Sequence, residues 1–309
     1  MSQAPVEPVA SKAPLVAVAQ PLDLRTTLDS GQVFRWRWEG EWAWGVVGRR
    51  AFGLCAVDGG LRVVSSAPAD EAQKIVGDYL RLGDDLDALY SDAAADAVLS
   101  EAMARYRGLR LLRQDPWECL FSFICSSTSN IPRIKLNVGA VAGRLGYSIG
   151  PETHDVTFPE PETVVEAGEQ LLRDLGLGFR AKYLVPAAEA VASGQLKLSD
   201  LREASYTDAR NALMELHGVG EKIADCVLAF SLDKPESFIV DRHILRALHR
   251  WYDVPEKASL SYAADWARDY FGEHAALANQ YMFRRERLAR RAADWGGAHT
   301  DRALPEDGR

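Results

Sequence analysis

Cysteine is scarce. Four of 309 residues, Cys55, Cys119, Cys125 and Cys226, are scattered along the chain, and no two stand at a metal-ligand spacing. That excludes a disulfide framework and an iron–sulfur or zinc site, and fits free thiols in a reducing compartment. Long apolar runs are missing too. No stretch reaches the roughly 20 residues that a bilayer span needs. The amino end, Met1-Ser-Gln-Ala-Pro-Val-Glu-Pro, lacks the charged start and apolar core of a secretory signal. A soluble intracellular protein is expected, in the cytoplasm or nucleoid of a bacterium or the nucleus of a eukaryote. Positive charge is the third shortage: 36 Lys and Arg face 44 Asp and Glu, a formal net charge of -8. The overall field does not attract polyanions, so any surface that binds one is a local patch. Basic residues gather at Arg105, Arg107, Arg110 and Arg113 and again at Arg284, Arg285, Arg287, Arg290 and Arg291. A run of the second kind reads first as a solvated helix face.

With 47% hydrophobic and 26% charged side chains, the chain has material for two or three subdomains. The Ala/Pro/Ser-rich start, residues 1–14, and the stretch 296–309 read as disordered tails. Period-two patterning over Gln32–Trp38, Trp42–Val47, Ala51–Val57 and Leu61–Ser65, broken by Glu39-Gly40 and Asp58-Gly59-Gly60, predicts an antiparallel meander. After Pro68 the apolar spacing turns helical, over Glu71–Arg81, Ala93–Tyr106, Trp117–Ile124, Ile131–Leu145, Pro161–Leu172 and Lys182–Ser193 and then into several further helices. The fold class is α+β, with a sheet-containing amino-terminal part at 15–108 and a helical part at 109–295.

Within the helical part, Leu213-Met-Glu-Leu-His-Gly-Val-Gly-Glu-Lys-Ile-Ala-Asp-Cys-Val-Leu-Ala-Phe230 reads as helix, tight hairpin, helix over about 207–232. Gly218 and Gly220 leave backbone N–H groups bare at the start of the second helix, a place for a phosphate oxygen. Lys222 begins that helix. After a polar loop, Val240-Asp-Arg-His-Ile-Leu-Arg-Ala-Leu248 puts Asp241 at the start of the next one, where an aspartate also serves as an N-cap. An amine and a carboxylate at two neighbouring helix starts make a candidate catalytic pair.

The hairpin with its lysine and the following Val-Asp resembles the helix-hairpin-helix DNA glycosylases, and within them the 8-oxoguanine DNA glycosylases. Three further motifs carry the resemblance from about Leu22 to Arg287: Ser30-Gly-Gln-Val-Phe-Arg-Trp36, Gly108-Leu-Arg-Leu-Leu-Arg-Gln-Asp-Pro-Trp-Glu-Cys-Leu-Phe-Ser-Phe-Ile-Cys-Ser-Ser127 and Leu175-Gly-Leu-Gly-Phe-Arg-Ala-Lys-Tyr183. The resemblance implies a TATA-binding-protein-like sheet domain and a two-lobed helical core. It implies a monomer that uses no cofactor or metal and acts on double-stranded DNA containing oxidised guanine. Such an enzyme must take its base out of the stack. Lys222 would attack the sugar C1′, leaving an imine that permits strand cleavage by β-elimination, and Asp241 would stabilise the positive charge that builds on the sugar.

The remaining roles come from the same resemblance. The Gly31 carbonyl would test N7, a donor in 8-oxoguanine and an acceptor in guanine, a mismatch costing roughly 1–3 kcal/mol. Phe34, Cys226 and Phe283 would wall the base pocket, and His243 would contact phosphate. Asn130, Arg133 and Arg180 would read the orphaned cytosine, with Phe179 as the wedge. Four positions depart from the family: Thr128 and Ser129 replace two asparagines, Phe179 replaces a tyrosine, and Asn279, in the base pocket, stands where a glutamine reads the Watson–Crick edge. On the residues alone two alternatives stay open, a glycosylase of other base specificity on the same scaffold and a catalytically silent DNA-binding module.

Overall fold

A computed structural model describes residues 13–149 and 155–295. Strand β1 (Leu15–Ala17) leads to a short helix α1 (Leu24–Leu28), whose N-cap Asp23 accepts from the Thr26 N–H at 2.8 Å. Strands β2 (Arg37–Glu39), β3 (Trp42–Val47), β4 (Arg50–Val57) and β5 (Gly60–Ser65) complete one antiparallel sheet, ordered β1-β5-β4-β3-β2. Its buried face carries Ala43, Phe52, Leu54, Leu61 and Val63, which close against Ala72, Val76 and Tyr79 of helix α2 (Ala69–Tyr79).

The sheet differs from the sequence expectation at both ends. Ala13 is buried and the Pro14 carbonyl accepts from the Val63 N–H at 3.0 Å, so residues 13 and 14 of the expected tail are docked ahead of an unforeseen edge strand. The rest of both tails lies outside the described residues. The expected first strand, Gln32–Trp38, survives only as Arg37–Glu39. Residues 32–36 are held by side chains instead of a ladder. Gln32 is fully buried; its Nε2 donates to Ser30 Oγ and the Arg110 carbonyl, both at 2.9 Å, and its Oε1 accepts from the Leu112 N–H at 2.9 Å. Its own carbonyl accepts from Gln114 Nε2 at 2.9 Å. Arg35 forms a forked pair with Glu118, at 2.7 and 3.2 Å, and Trp36 Nε1 donates to Tyr79 Oη at 2.8 Å.

The helical part runs through α3 (Leu86–Asp92), α4 (Ala97–Arg105), α5 (Pro116–Ile124), α6 (Ile131–Leu145), α7 (Pro161–Leu172), α8 (Ala181–Ala192), α9 (Leu198–Glu203), α10 (Tyr206–Met214), α11 (Glu221–Ser231), α12 (Arg242–Trp251), α13 (Leu260–Phe271) and α14 (Ala275–Trp295). Two apolar cores divide them. One gathers side chains from α5 through α11; the other joins α3 and α4 to α12, α13 and α14. Residues 86–109 therefore pack with the carboxy-terminal helices and not with the sheet. The sheet has its own apolar core, which takes residues up to Leu82 and then Leu112, while Leu86 to Leu109 join the second helical core. Periodicity fixes which face of a helix is apolar but not which neighbour covers it. Helix α11 is the innermost, with every residue from Ile223 to Ser231 buried.

The Gln32 carboxamide joins the amino-terminal motif to the start of this helical body, so its loss should be felt globally. Gln32→Leu leaves the Arg110 carbonyl and the Leu112 N–H without partners in a site closed to solvent. Each such group costs about 1–3 kcal/mol, so the unfolding free energy should fall by about 2–5 kcal/mol, read from the midpoint of a urea transition. A loss below about 1 kcal/mol would mean that the tie is dispensable.

Candidate active site

Between the two helical cores lies a cavity of about 890 Å³. The turn after α1, Asp29 to Phe34, forms one wall, and the start of α6, from Asn130 to Lys135, faces it. Helix α11 contributes Lys222, Cys226 and Phe230, and the start of α12 contributes Asp241, His243 and Ile244. Asn279, Gln280, Phe283, Glu286 and Arg287 of α14 close the remaining side. The structure thus brings together nine residues singled out in the sequence: Gly31, Phe34, Asn130, Lys222, Cys226, Asp241, His243, Asn279 and Phe283.

Lys222 and Cys226 share a face of α11 because they are four residues apart. The other face is anchored: Asp225 accepts from Tyr206 Oη at 2.7 Å and lies beside Arg210. Burial pushes the Cys226 thiol up to about 12; the Lys222 ammonium pulls it down, and the Asp225 and Asp241 carboxylates add to the rise. A thiol held there stays protonated at neutral pH and serves as an apolar wall, not a reagent. Asp241 is the N-cap of α12, and both of its bonds, from the His243 and Ile244 N–H groups at 2.8 Å, fall on Oδ1. Capping therefore occupies one carboxylate oxygen and leaves Oδ2 for other work. Arg246 donates to His243 Nδ1 at 2.7 Å; since arginine has no acceptor, the proton of a neutral ring sits on Nε2.

Gly31 has φ +92, and a Cβ there would lie 2.9 Å from Ile131 Cδ1 and 3.5 Å from the Phe283 ring. Only glycine suits both the backbone angle and the space. Its neighbour Ser30 bonds the Thr27 carbonyl at 2.8 Å, and Gln32 on its other side is tied as described, so the peptide between them is held from both ends. Asn130 acts as the N-cap of α6, accepting from the Arg133 N–H at 2.9 Å. Asn279 lines the cavity with one of its amide N–H groups committed to the Ile239 carbonyl at 2.8 Å.

Five residues of the sequence reading lie outside the cavity. Arg133 is exposed on the first turn of α6. Arg180 binds the Ser127 and Thr128 carbonyls at 2.7 and 2.8 Å, and its guanidinium covers the Phe179 ring at 4.7 Å. Phe179 is 44% exposed, enough to reach a ligand, and its edge meets Tyr183. Tyr183 in turn fills the place where a Cβ on Gly218, at φ +91, would stand 2.5 Å from its ring. Gly220, the N-cap of α11, has no side-chain cap and faces open space.

Several cavity residues were not foreseen. Lys135 reaches Asp29 at 3.7 Å, Arg287 donates to the Asp29 carbonyl at 2.8 Å, and Gln280 lies beside Asn279. Arg287 belongs to the second basic cluster, and for Gln280 the sequence signal is spacing: it stands three residues before Phe283 on a helix and so shares its face. The first basic cluster is spent internally. Arg110 is buried on the Pro21, Arg81 and Asp84 carbonyls, Arg113 pairs with Asp233, and Arg107 pairs with Asp87. In the second cluster Arg285 pairs with Glu101, and the side chains of Arg290 and Arg291 lie outside the described ones. Among the described residues no group of three or more His, Cys, Asp or Glu could hold a metal ion, and no helix is long and apolar enough to cross a membrane.

Comparison with known proteins agrees with this geometry. Residues 15–120 match the family model "8-oxoguanine DNA glycosylase, N-terminal domain", and residues 121–265 match "HhH-GPD superfamily base excision DNA repair protein". The N-glycosylase/DNA lyase OGG1 of Arabidopsis thaliana is 32% identical over 290 residues, covering 87% of this chain and 79% of its own length. The structure of MBOgg1 in complex with a low affinity DNA ligand superposes with a TM-score of 0.85 at 34% identity, over 89% of this chain and 95% of that one. The Clostridium acetobutylicum 8-oxoguanine glycosylase/lyase, bound to double-stranded DNA with cytosine opposite the lesion, gives 0.83 at 27% identity, over 88% and 93%. These matches, over nearly the whole described length of a chain whose cavity is lined by Gly31, Lys222 and Asp241, place it in the 8-oxoguanine DNA glycosylase family.

Proposed function

We propose that the protein removes 8-oxoguanine from duplex DNA opposite cytosine and cleaves the strand at the resulting site. The observation that carries this reading is that Lys222, Asp241 and Gly31, from three separate elements, line one cavity. Its 890 Å³ falls within the roughly 300–1,000 Å³ of ligand clefts. The uncapped start of α11 and the His243 Nε2–H offer donors to phosphates of the same strand, so binding rests on local groups and not on net charge.

In this scheme the extruded nucleotide enters the cavity with its base against Phe283 and Cys226. The Gly31 carbonyl accepts from N7–H, a donor that guanine lacks. Lys222, as the neutral amine, attacks C1′. The Nζ–C1′ bond forms, the bond from C1′ to the base breaks, and the base leaves with a proton. Asp241, capping through Oδ1, turns Oδ2 toward the cationic sugar. Loss of the second amine proton and opening of the sugar ring give an imine. Removal of a C2′ proton then expels the 3′ phosphate by β-elimination, and water releases Lys222. On the opposite strand Phe179 fills the vacated stack while Arg133, Arg180 and Asn130 face the orphaned base. Arginine donors suit the acceptors of cytosine.

Base release from an 8-oxoguanine·cytosine duplex tests the reading as a whole. For the nucleophile, borohydride should trap a covalent protein–DNA adduct with the wild type and none with Lys222→Gln; efficient trapping of that variant would remove Lys222 from its role.

Asparagine still caps a helix, so Asp241→Asn should fold and bind damaged DNA as the wild type does while losing about 100-fold or more in single-turnover excision, the scale of one lost preorganised charge. Near-normal excision would reduce Asp241 to a cap.

Excision opposite each of the four bases should favour cytosine, by less than an asparagine triplet would confer, because Thr128 and Ser129 carry no amides. A preference for adenine would overturn the role given to Arg133 and Arg180.

A further inference from the structure

Helix α14 offers two carboxamides to the cavity, on adjacent residues, and they are not equally free. Asn279 is 2% exposed and donates to the Ile239 carbonyl at 2.8 Å, two residues ahead of Asp241. It brackets the segment that delivers Asp241. Gln280 is 5% exposed, lines the same cavity, and has a carbonyl oxygen that is buried without a hydrogen-bond partner. Buried polar atoms are almost always satisfied, and an exception on a cavity wall is a place where a ligand supplies the partner. Gln280 also sits one turn ahead of Phe283 on the same face, and its side chain reaches one methylene further than that of Asn279.

We infer that Gln280, and not Asn279, reads the Watson–Crick edge of the extruded base; the inference rests on the proposed 8-oxoguanine specificity. That edge carries two adjacent donors, N1–H and the 2-amino group, beside the O6 acceptor. The Gln280 Oε1 accepts from the donors and Nε2 donates to O6. Asn279 is a positioning residue, holding Ile239 and through it the approach of Asp241 to the sugar.

The two roles separate by substrate. Single-turnover excision is measured on duplexes containing 8-oxoguanine or 8-oxohypoxanthine, which lacks the 2-amino group, each opposite cytosine. Affinity for a duplex carrying a tetrahydrofuran abasic analogue, which has no base to read, reports the integrity of the fold and the DNA surface. Gln280→Met, of similar volume and without an amide, should excise 8-oxoguanine about tenfold more slowly, bind the abasic duplex within twofold of wild type, and lose the wild-type preference for 8-oxoguanine over 8-oxohypoxanthine. Asn279→Ala should slow both substrates alike and keep the preference. Gln280→Glu, which keeps the shape but sets an acceptor against O6, should slow 8-oxoguanine excision at least fivefold and guards against misfolding of the methionine variant.

The inference is overturned if Gln280→Met and Gln280→Glu excise at the wild-type rate. It is overturned equally if abasic-site affinity falls in step with excision in both, or if Asn279→Ala is the change that abolishes the preference. A wild-type protein that leaves 8-oxoguanine in place would instead refute the proposed function, and that result is read before any variant is compared.

Discussion

A single buried carboxamide organises the active-site side of this protein. Gln32 bonds the backbone at 110 and 112 and receives Gln114, while its neighbours fix the peptide that carries the Gly31 carbonyl. Gln114 in turn donates its backbone N–H to the Phe230 carbonyl on α11, the helix of Lys222. The peptide that carries the Gly31 carbonyl and the helix that carries Lys222 thus belong to one hydrogen-bonded frame, although they lie far apart in the chain. In an interior closed to water such bonds have no cheap substitute, which is what makes the relative placement of the two walls rigid.

Charge is handled in the same local way. Asp233 gathers Arg81, Arg113 and Arg202, and Lys234 beside it caps the Arg202 and Ala204 carbonyls at 2.6 Å. Arg81 thereby ties the amino-terminal part to the helical lobe through Asp233, and these cations are spent on internal partners. The net charge of -8 consequently says little about where DNA binds, because several of the cations it counts are already spent on internal partners.

Most of the helices, the fold class and the places of Lys222 and Asp241 at two helix starts were legible in the sequence because each has a local signature: a period, a cap, a glycine pair. What could not be read has a common cause. Residues 32–36 alternate like a strand, but a positive φ at Gly31 and the side-chain bonds of Gln32, Arg35 and Trp36 replace the ladder. Strand β1 is three residues long, too short for periodicity to register. Helices α3 and α4 carry an ordinary apolar stripe whose partner is set by tertiary packing. Arg110 looks like its basic neighbours until its carbonyl partners are seen, and which of Asn279 and Gln280 already has a bond is decided by packing that the sequence does not show.

The contact of Tyr183 with both Phe179 and Gly218 gives this part of the surface a mechanical character. One ring serves as the spacer of a caliper, with the hairpin as one jaw and the protruding phenyl as the other. Because the hairpin glycine leaves no slack against that ring, the distance between the hairpin backbone and the protruding phenyl is a built-in length. The hairpin and the exposed ring therefore cannot shift independently: a change at Tyr183 alters the spacing of both.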